Sequence, residues 1–297
     1  MRVTGYFFAL AAGSLWGTTG VLSTALYAEG VPLTGIGFWR VLLGAVGIAA
    51  YGLAFDRGLF RADRTGWLAV GLGGGALVAS FEVAYQFGIA GAGVAGAAAL
   101  LYTAPVMVAF LAWPLLGERL TPLRLGIAAL VMAGAALTVT GGRPGFGGLE
   151  LPGLAQGVIG GLVAAASYAG TTVLARWAVP RYGVVKVLFL EIVGGAAILG
   201  AVLPLLGHPP GVPSGAGAWA YTAALALGTV WLANVFYFAA VKRIEATPTA
   251  VAATIEPVVG TILALFLLGQ ALSALGWLGL VMVVAGVAAG YLREASR

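Results

Sequence analysis

The sequence predicts an all-α integral membrane protein, with ten transmembrane helices arranged as two inverted five-helix repeats around a central cavity. Three observations predict it. Charged residues make up 8% of the 297, hydrophobic residues 61%, and the mean hydropathy is +1.03, whereas a soluble domain carries roughly 25% charge. Apolar runs long enough to cross a bilayer recur along the whole chain. Finally, the second half repeats the first at a constant displacement: YTAPVMVAFLAWPLLGERLT (102–121) returns as IEPVVGTILALFLLGQALS (255–273). Pro105 aligns with Pro257, Leu115-Leu116-Gly117 with Leu267-Leu268-Gly269, and Thr121 with Ser273. Tyr85 aligns with Tyr237 and Ala133-Gly134 with Ala285-Gly286.

The ten apolar segments lie at about 4–27, 33–55, 66–88, 93–116, 122–141, 153–175, 184–206, 217–240, 249–268 and 273–292. At 1.5 Å per residue each can cross a hydrocarbon core of about 30 Å. The first is too long for the core of a signal peptide and reads as a retained span. Charge fixes the orientation. With the N-terminus in the cytoplasm, thirteen of the 15 Lys and Arg residues fall on the cytoplasmic side, Arg143 alone falls outside, and Arg40 lies within a span. Both termini are therefore expected in the cytoplasm. Arginine far outnumbers lysine and Ala and Gly are heavily used, a composition that points to a bacterial source and so to the inner membrane.

Five spans per copy is an odd number, so the second copy must be inserted upside down relative to the first, about a pseudo-two-fold axis in the membrane plane. The first copy is assigned to 1–141 and the second to 153–297, with an external linker at 142–152 in the Gly/Pro-rich stretch GGRPGFGGLELPG. Inverted repeats suit secondary transporters, because two similar halves can exchange conformations. The substrate site is then expected near the midplane, between them.

Several chemistries are excluded. There is no cysteine and one histidine, His208, in the loop HPPGVP, so thiolate sites and an HExxH motif are impossible. Gly73-Gly74-Gly75 is not followed by the Lys-Ser/Thr of a P-loop. No catalytic residue, metal site or cofactor is expected. The net charge of +5 is accounted for by the cytoplasmic loops and needs no nucleic-acid partner. The expected partners are a small-molecule substrate and the lipid bilayer. The oligomeric state is left open, with a monomer admissible.

Four charged residues fall inside spans: Arg40, Glu82, Glu191 and Glu256. A charge at the bilayer centre costs about 2.5–3.5 kcal/mol on insertion scales and usually faces a cavity or a partner. Glu82 shares one helix side with Phe81 and Tyr85 in SFEVAYQF, which reads as a cavity wall with an aromatic shelf and one acid. That acid could meet a substrate ammonium or carry a proton; the alternative is an acid that fixes helix packing. Its repeat mate is Asn234, flanked at helical spacing by Trp231 and Tyr237. Arg40 in FWR aligns with Glu191 in FLE. The two could pair near the pseudo-axis, but each lies close enough to a helix start to reach the interface, and that structural reading is preferred. Pro105 and Pro257, the latter preceded by Glu256, predict symmetric kinks in the fourth and ninth spans, with Tyr102 one turn before the first. SLWGTTGVL (14–22) and SYAGTTVL (167–174) echo each other. Small and hydroxyl residues permit close helix approach, which accounts for the glycines, and Trp16 and Tyr168, deep among them, read as cavity lining or equally as rings packed against a glycine.

The duplicated P…LLGE/Q..LT/S stretch, the early SLWG and the GERLT at 117–121 resemble the drug/metabolite transporter superfamily of the EamA type, over nearly the whole chain. The second copy departs from the motif, with Gln270 where the first has Glu118, a residue read as a helix cap at a loop. SFEVAYQF, with Tyr102 just before Pro105, is similar to YddG-type exporters of aromatic amino acids. The resemblance implies a cavity bounded by the first, third, fourth, sixth, eighth and ninth helices. It makes Ser14, Trp16, Phe81, Glu82, Tyr85, Tyr102, Tyr168, Asn234 and Tyr237 substrate-binding candidates, with Pro105 and Pro257 as gating positions. The expected function is secondary export of aromatic or large neutral amino acids and related metabolites. Export of other metabolites or drugs is one alternative, and a structural membrane protein is another.

Overall fold

The structure, a computed structural model, describes residues 2–140, 151–268 and 273–295. Most of the linker, Arg143, Gln270, Leu272 and Arg297 lie outside the described residues. Every described element is helical. A bilayer leaves no other choice to a chain that cannot close into a barrel, because each backbone N–H and C=O must find its partner within the span. Eight helical segments are long and apolar enough to cross a membrane: 34–55, 66–88, 97–116, 155–182, 184–205, 216–243, 246–267 and 274–292. A shorter apolar helix covers 122–138.

The first apolar run is not one helix. Helices α1 (Arg2–Gly17) and α2 (Thr19–Ala28) are separated at Thr18, whose hydroxyl donates to the Leu15 carbonyl at 2.7 Å. Gly17 sits at this break for a steric reason: a Cβ there would lie 2.8 Å from Cβ of Val259 and 3.0 Å from N of Gly260. The second span is α3 (Leu33–Phe55). The third span opens with a π-helical stretch, Gly66–Gly74, and continues as α4 (Gly75–Leu101). Within α4 the chain reverses. A Cβ on Gly88 would lie 3.3 Å from Cβ of Ala97, whereas nine residues along a straight helix rise about 13.5 Å. The third and fourth segments are thus separate passes.

The prolines correct one sequence-based expectation. A kink was expected at each; the structure instead breaks the helix before each. Helix α4 ends at Leu101 and α5 (Ala104–Leu116) begins at Ala104, with Pro105 in its first turn. In the second copy, α11 (Ala246–Ala253) ends and α12 (Glu256–Leu268) begins, with Pro257 in its first turn. A proline there sacrifices no helical hydrogen bond, since first-turn N–H groups have no intrahelical partner. Threonines close both breaks: Thr103 donates to Leu100 O at 2.7 Å and Thr254 to Ala250 O at 2.9 Å.

The remaining helices are α6 (Pro122–Thr140), α7 (Leu151–Tyr182), α8 (Val184–Leu205), α9 (Ala216–Leu225), a π-helical Ala226–Leu232, α10 (Ala233–Arg243) and α13 (Ala274–Ala295). The main packing is reciprocal: α4 lies along α7, α1 along α10, and α6 along α13. The largest core cluster centres on α8, where Leu188, Leu190 and Leu199 are fully buried.

At one end of the helices, the first half of the chain clamps the second. Glu118, after α5, accepts from Ala246 N at 2.6 Å and from the Thr247 hydroxyl at 3.0 Å. It thereby caps α11 from 128 residues away in sequence. The helix-cap reading of Glu118 thus has a specific partner, in the other copy. Arg124 pairs with Glu245; within the second half, Arg176 donates to the Val241 and Ile244 carbonyls and ties α7 to the end of α10. Glu118→Ala leaves buried donors unanswered and should cost about 1–3 kcal/mol. A thermal melt of the detergent-solubilised protein should show the loss, with Glu118→Gln recovering most of it.

Candidate functional site

All four charged residues of the spans converge on one cavity of about 180 Å³, lined by Arg40, Glu82, Glu191 and Glu256 among others. The walls come from both halves of the chain. Trp16, Arg40, Phe81, Glu82 and Tyr85 belong to the first, and Tyr168, Glu191, Asn234, Tyr237 and Glu256 to the second. A water's share of liquid volume is about 30 Å³, so the space takes several waters or one small organic molecule.

Arg40 and Glu82 form the cavity's ion pair, Nη2 to Oε1 at 2.5 Å, joining α3 to α4. The side chains are 16% and 7% exposed. Gly37, one turn before Arg40, makes room for the acid: a Cβ there would lie 2.9 Å from Glu82 Oε2. Arg40 was expected to reach the interface or to meet Glu191; it does neither. Glu256 opens α12 at the second helix break and lines the same cavity. Glu191 stands apart, 1% exposed, with Oε1 lacking any hydrogen-bond partner. Among the described residues the ion pairs are Arg40–Glu82 and Arg124–Glu245, and no group of acids or histidines converges to hold a metal ion.

The aromatic walls are held in place by polar contacts. Trp16 Nε1 donates to the Thr229 carbonyl at 2.9 Å, and its ring meets Tyr168 at 5.9 Å and Tyr237 at 5.1 Å between centroids. Tyr237 shares a 2.8 Å hydrogen bond with the Thr172 hydroxyl. Phe81 and Tyr85 stack at 5.7 Å with an interplanar angle of 7°. Asn234 follows the π-helical Ala226–Leu232. Its amide donates to Val230 O at 2.8 Å and Thr229 O at 3.3 Å, answering carbonyls that the wide turn displaces.

Of the predicted residues, Trp16, Phe81, Glu82, Tyr85, Tyr168, Asn234 and Tyr237 line this cavity. Ser14 and Tyr102 are not among its lining residues. Tyr102 is 8% exposed and packs in a core cluster with Val251 and Val258. Trp231, read as mirroring the Glu82 face, leans instead on Tyr51 at 6.2 Å. Arg40 and Glu191 were read as structural and belong to the lining, as do Thr19, Thr171 and Thr172. The signal for the first two was in the sequence: a charge inside a span is expensive and usually faces a cavity. The wall also draws on the second and seventh spans, through α3 and α8, which the resemblance did not include.

A family model described as EamA-like transporter family matches residues 3–140 and 155–291. The chain belongs to the EamA-like transporter family. It is a multi-pass membrane transporter and not an enzyme. An uncharacterized transporter of Archaeoglobus fulgidus is 27% identical over 268 residues, covering 90% of both chains. A crystal structure of a protein superposes with a TM-score of 0.84 over 100% of both chains. At 23% identity that likeness shows the fold alone.

The ion pair carries a sharp energetic prediction. Removing one partner of a buried pair strands the other and costs about 3–5 kcal/mol, whereas removing both is far milder. Arg40→Met alone should therefore melt well below wild type, and Arg40→Met combined with Glu82→Leu should recover most of the loss in a double-mutant cycle.

Proposed function

We propose that the protein is a secondary transporter that exports amino acids, aromatic or other large neutral ones, and related small metabolites by alternating access. The observation that carries this reading is the combination in one cavity of charges of both signs with aromatic walls. A zwitterion with an apolar side chain has those three requirements. Tyr, Trp and Phe faces bury the side chain by area and edge contacts. Glu82 neutralises Arg40 but engages only part of its donor fan, and a guanidinium carries five N–H donors. Arg40 is thus the natural partner of a substrate carboxylate. A highly anionic substrate is disfavoured, because the cavity holds one cation against three carboxyl groups. The segment SFEVAYQF, whose Phe81, Glu82 and Tyr85 reach the cavity, supports the likeness to YddG-type exporters.

The machinery is ten spans in two inverted copies, with both termini in the cytoplasm of a bacterial cell and the protein in its inner membrane. The two-part family match and the symmetric helix breaks before Pro105 and Pro257 support the duplication. Reciprocal packing of α4 on α7 and α1 on α10 is what two-fold-related copies produce. The breaks serve as gating points, since backbone interrupted at mid-depth is tolerated where it lines a cavity. The Glu118 cap and the Arg124–Glu245 pair tie the copies together on the cytoplasmic side and release when that side opens.

Flux into proteoliposomes tests the reading, using labelled amino acids with and without a proton gradient. Saturable flux of phenylalanine, tyrosine and tryptophan, each competing with the others, is the expected result. No flux of any amino acid through folded protein would refute it. Trp16→Ala should weaken apparent affinity for aromatic substrates by roughly 10-fold, the worth of one aromatic pair, with smaller effects on alanine.

A further inference from the structure

Glu191 is a buried carboxyl group of the cavity with an oxygen that the protein itself does not answer. It sits on α8 between Leu190 and Ile192, both buried. Its Oε1 accepts no hydrogen bond, and among the described residues no cationic side chain pairs with it. Glu82, by contrast, is held by Arg40. The Arg40–Glu82 pair is thus satisfied within the protein, whereas Glu191 is left without a cationic partner among the described residues.

The chain makes space for this acid. A Cβ on Gly74, the last residue of the π-helical stretch, would lie 2.6 Å from Glu191 Cγ and 3.2 Å from its Cδ. Only glycine lets the carboxyl group lie there. An ionised or polar group buried without a partner is costly and is not retained for packing, which a leucine would do better. A carboxyl group that lines a ligand cavity and lacks a protein donor is one that a ligand donor can satisfy.

We propose that Glu191 is the ammonium subsite: it accepts the primary ammonium of the transported substrate, while Arg40 engages the carboxylate. This assignment rests on the amino-acid reading above and replaces Glu82 in that role. The ligand class is a primary amine joined to an apolar or aromatic body. The two charged ends of a zwitterion are then held by α3 and α8, one from each half of the chain, so bound substrate bridges the elements that move.

The test uses purified full-length protein and three probes of one shape: phenylalanine, phenethylamine (no carboxylate) and 3-phenylpropionate (no amine). In wild type all three bind, phenylalanine tightest. Glu191→Gln should weaken phenylalanine and phenethylamine by roughly 10- to 100-fold, the loss of one charge-assisted hydrogen bond, and leave 3-phenylpropionate within about 2-fold. Glu191→Asp should keep part of the amine affinity. Gly74→Ala, which displaces the carboxyl group without removing it, should give the same amine-selective loss. Equal weakening of all three probes, or none, would overturn the proposal. So would a Glu191→Gln protein that keeps amine affinity and loses only its response to a proton gradient. Wild-type protein that is folded and binds none of the probes would instead refute the amino-acid reading.

Discussion

Arg40 and Glu82 meet at a depth where neither could stand alone. Each charge inside a span carries a large desolvation cost, and a pair recovers it only with close geometry and little freedom. That requirement fixes how α3 and α4 face one another, and Gly37 supplies the clearance the acid needs. Phe81 and Tyr85, on the same helix as Glu82, line the cavity together with Trp16, Tyr168 and Tyr237. The aromatic shelf and the charged corner thus share α4, which one contact between residues 42 positions apart ties to α3.

The second constraint is on the backbone. Regular helices would hide every main-chain group, yet both copies interrupt theirs. Breaks precede Pro105 and Pro257, and π-helical turns occupy Gly66–Gly74 and Ala226–Leu232. The two breaks are repaired locally by Thr103 and Thr254, and the second π-helical stretch by Asn234. Such local repair lets a span bend or rewind without leaving unsatisfied groups in lipid. A transporter needs that tolerance near its site, and Glu256 and Asn234 lie beside these interruptions.

The all-helical, membrane-spanning character of the chain was legible because it follows from composition and periodicity, which a bilayer enforces strongly. The four intramembrane charges were legible for the same reason. Their pairing was not. Whether Arg40 meets Glu82 or Glu191 depends on helix rotation, which apolar segments with polar residues on several sides do not specify. Trp231 shows the same limit from the other direction. Spacing of three placed it with Asn234, but it lies in a π-helical turn, where the wider pitch rotates it away from the cavity. The prolines were found and their effect misjudged, because a proline in a first turn and a proline in a kink look alike in sequence. Ser14 was chosen for its hydroxyl group, and it is not among the residues that line the cavity.

The central claim is that one cavity between two halves of the chain is the transport site and is reached alternately from both sides of the membrane. The chain has no cysteine, so a single Val78→Cys protein reports from the cavity wall without background. Labelling by a membrane-impermeant thiol reagent should proceed from either face in turn and be slowed by bound substrate. Labelling from one face only, indifferent to substrate, would contradict the account.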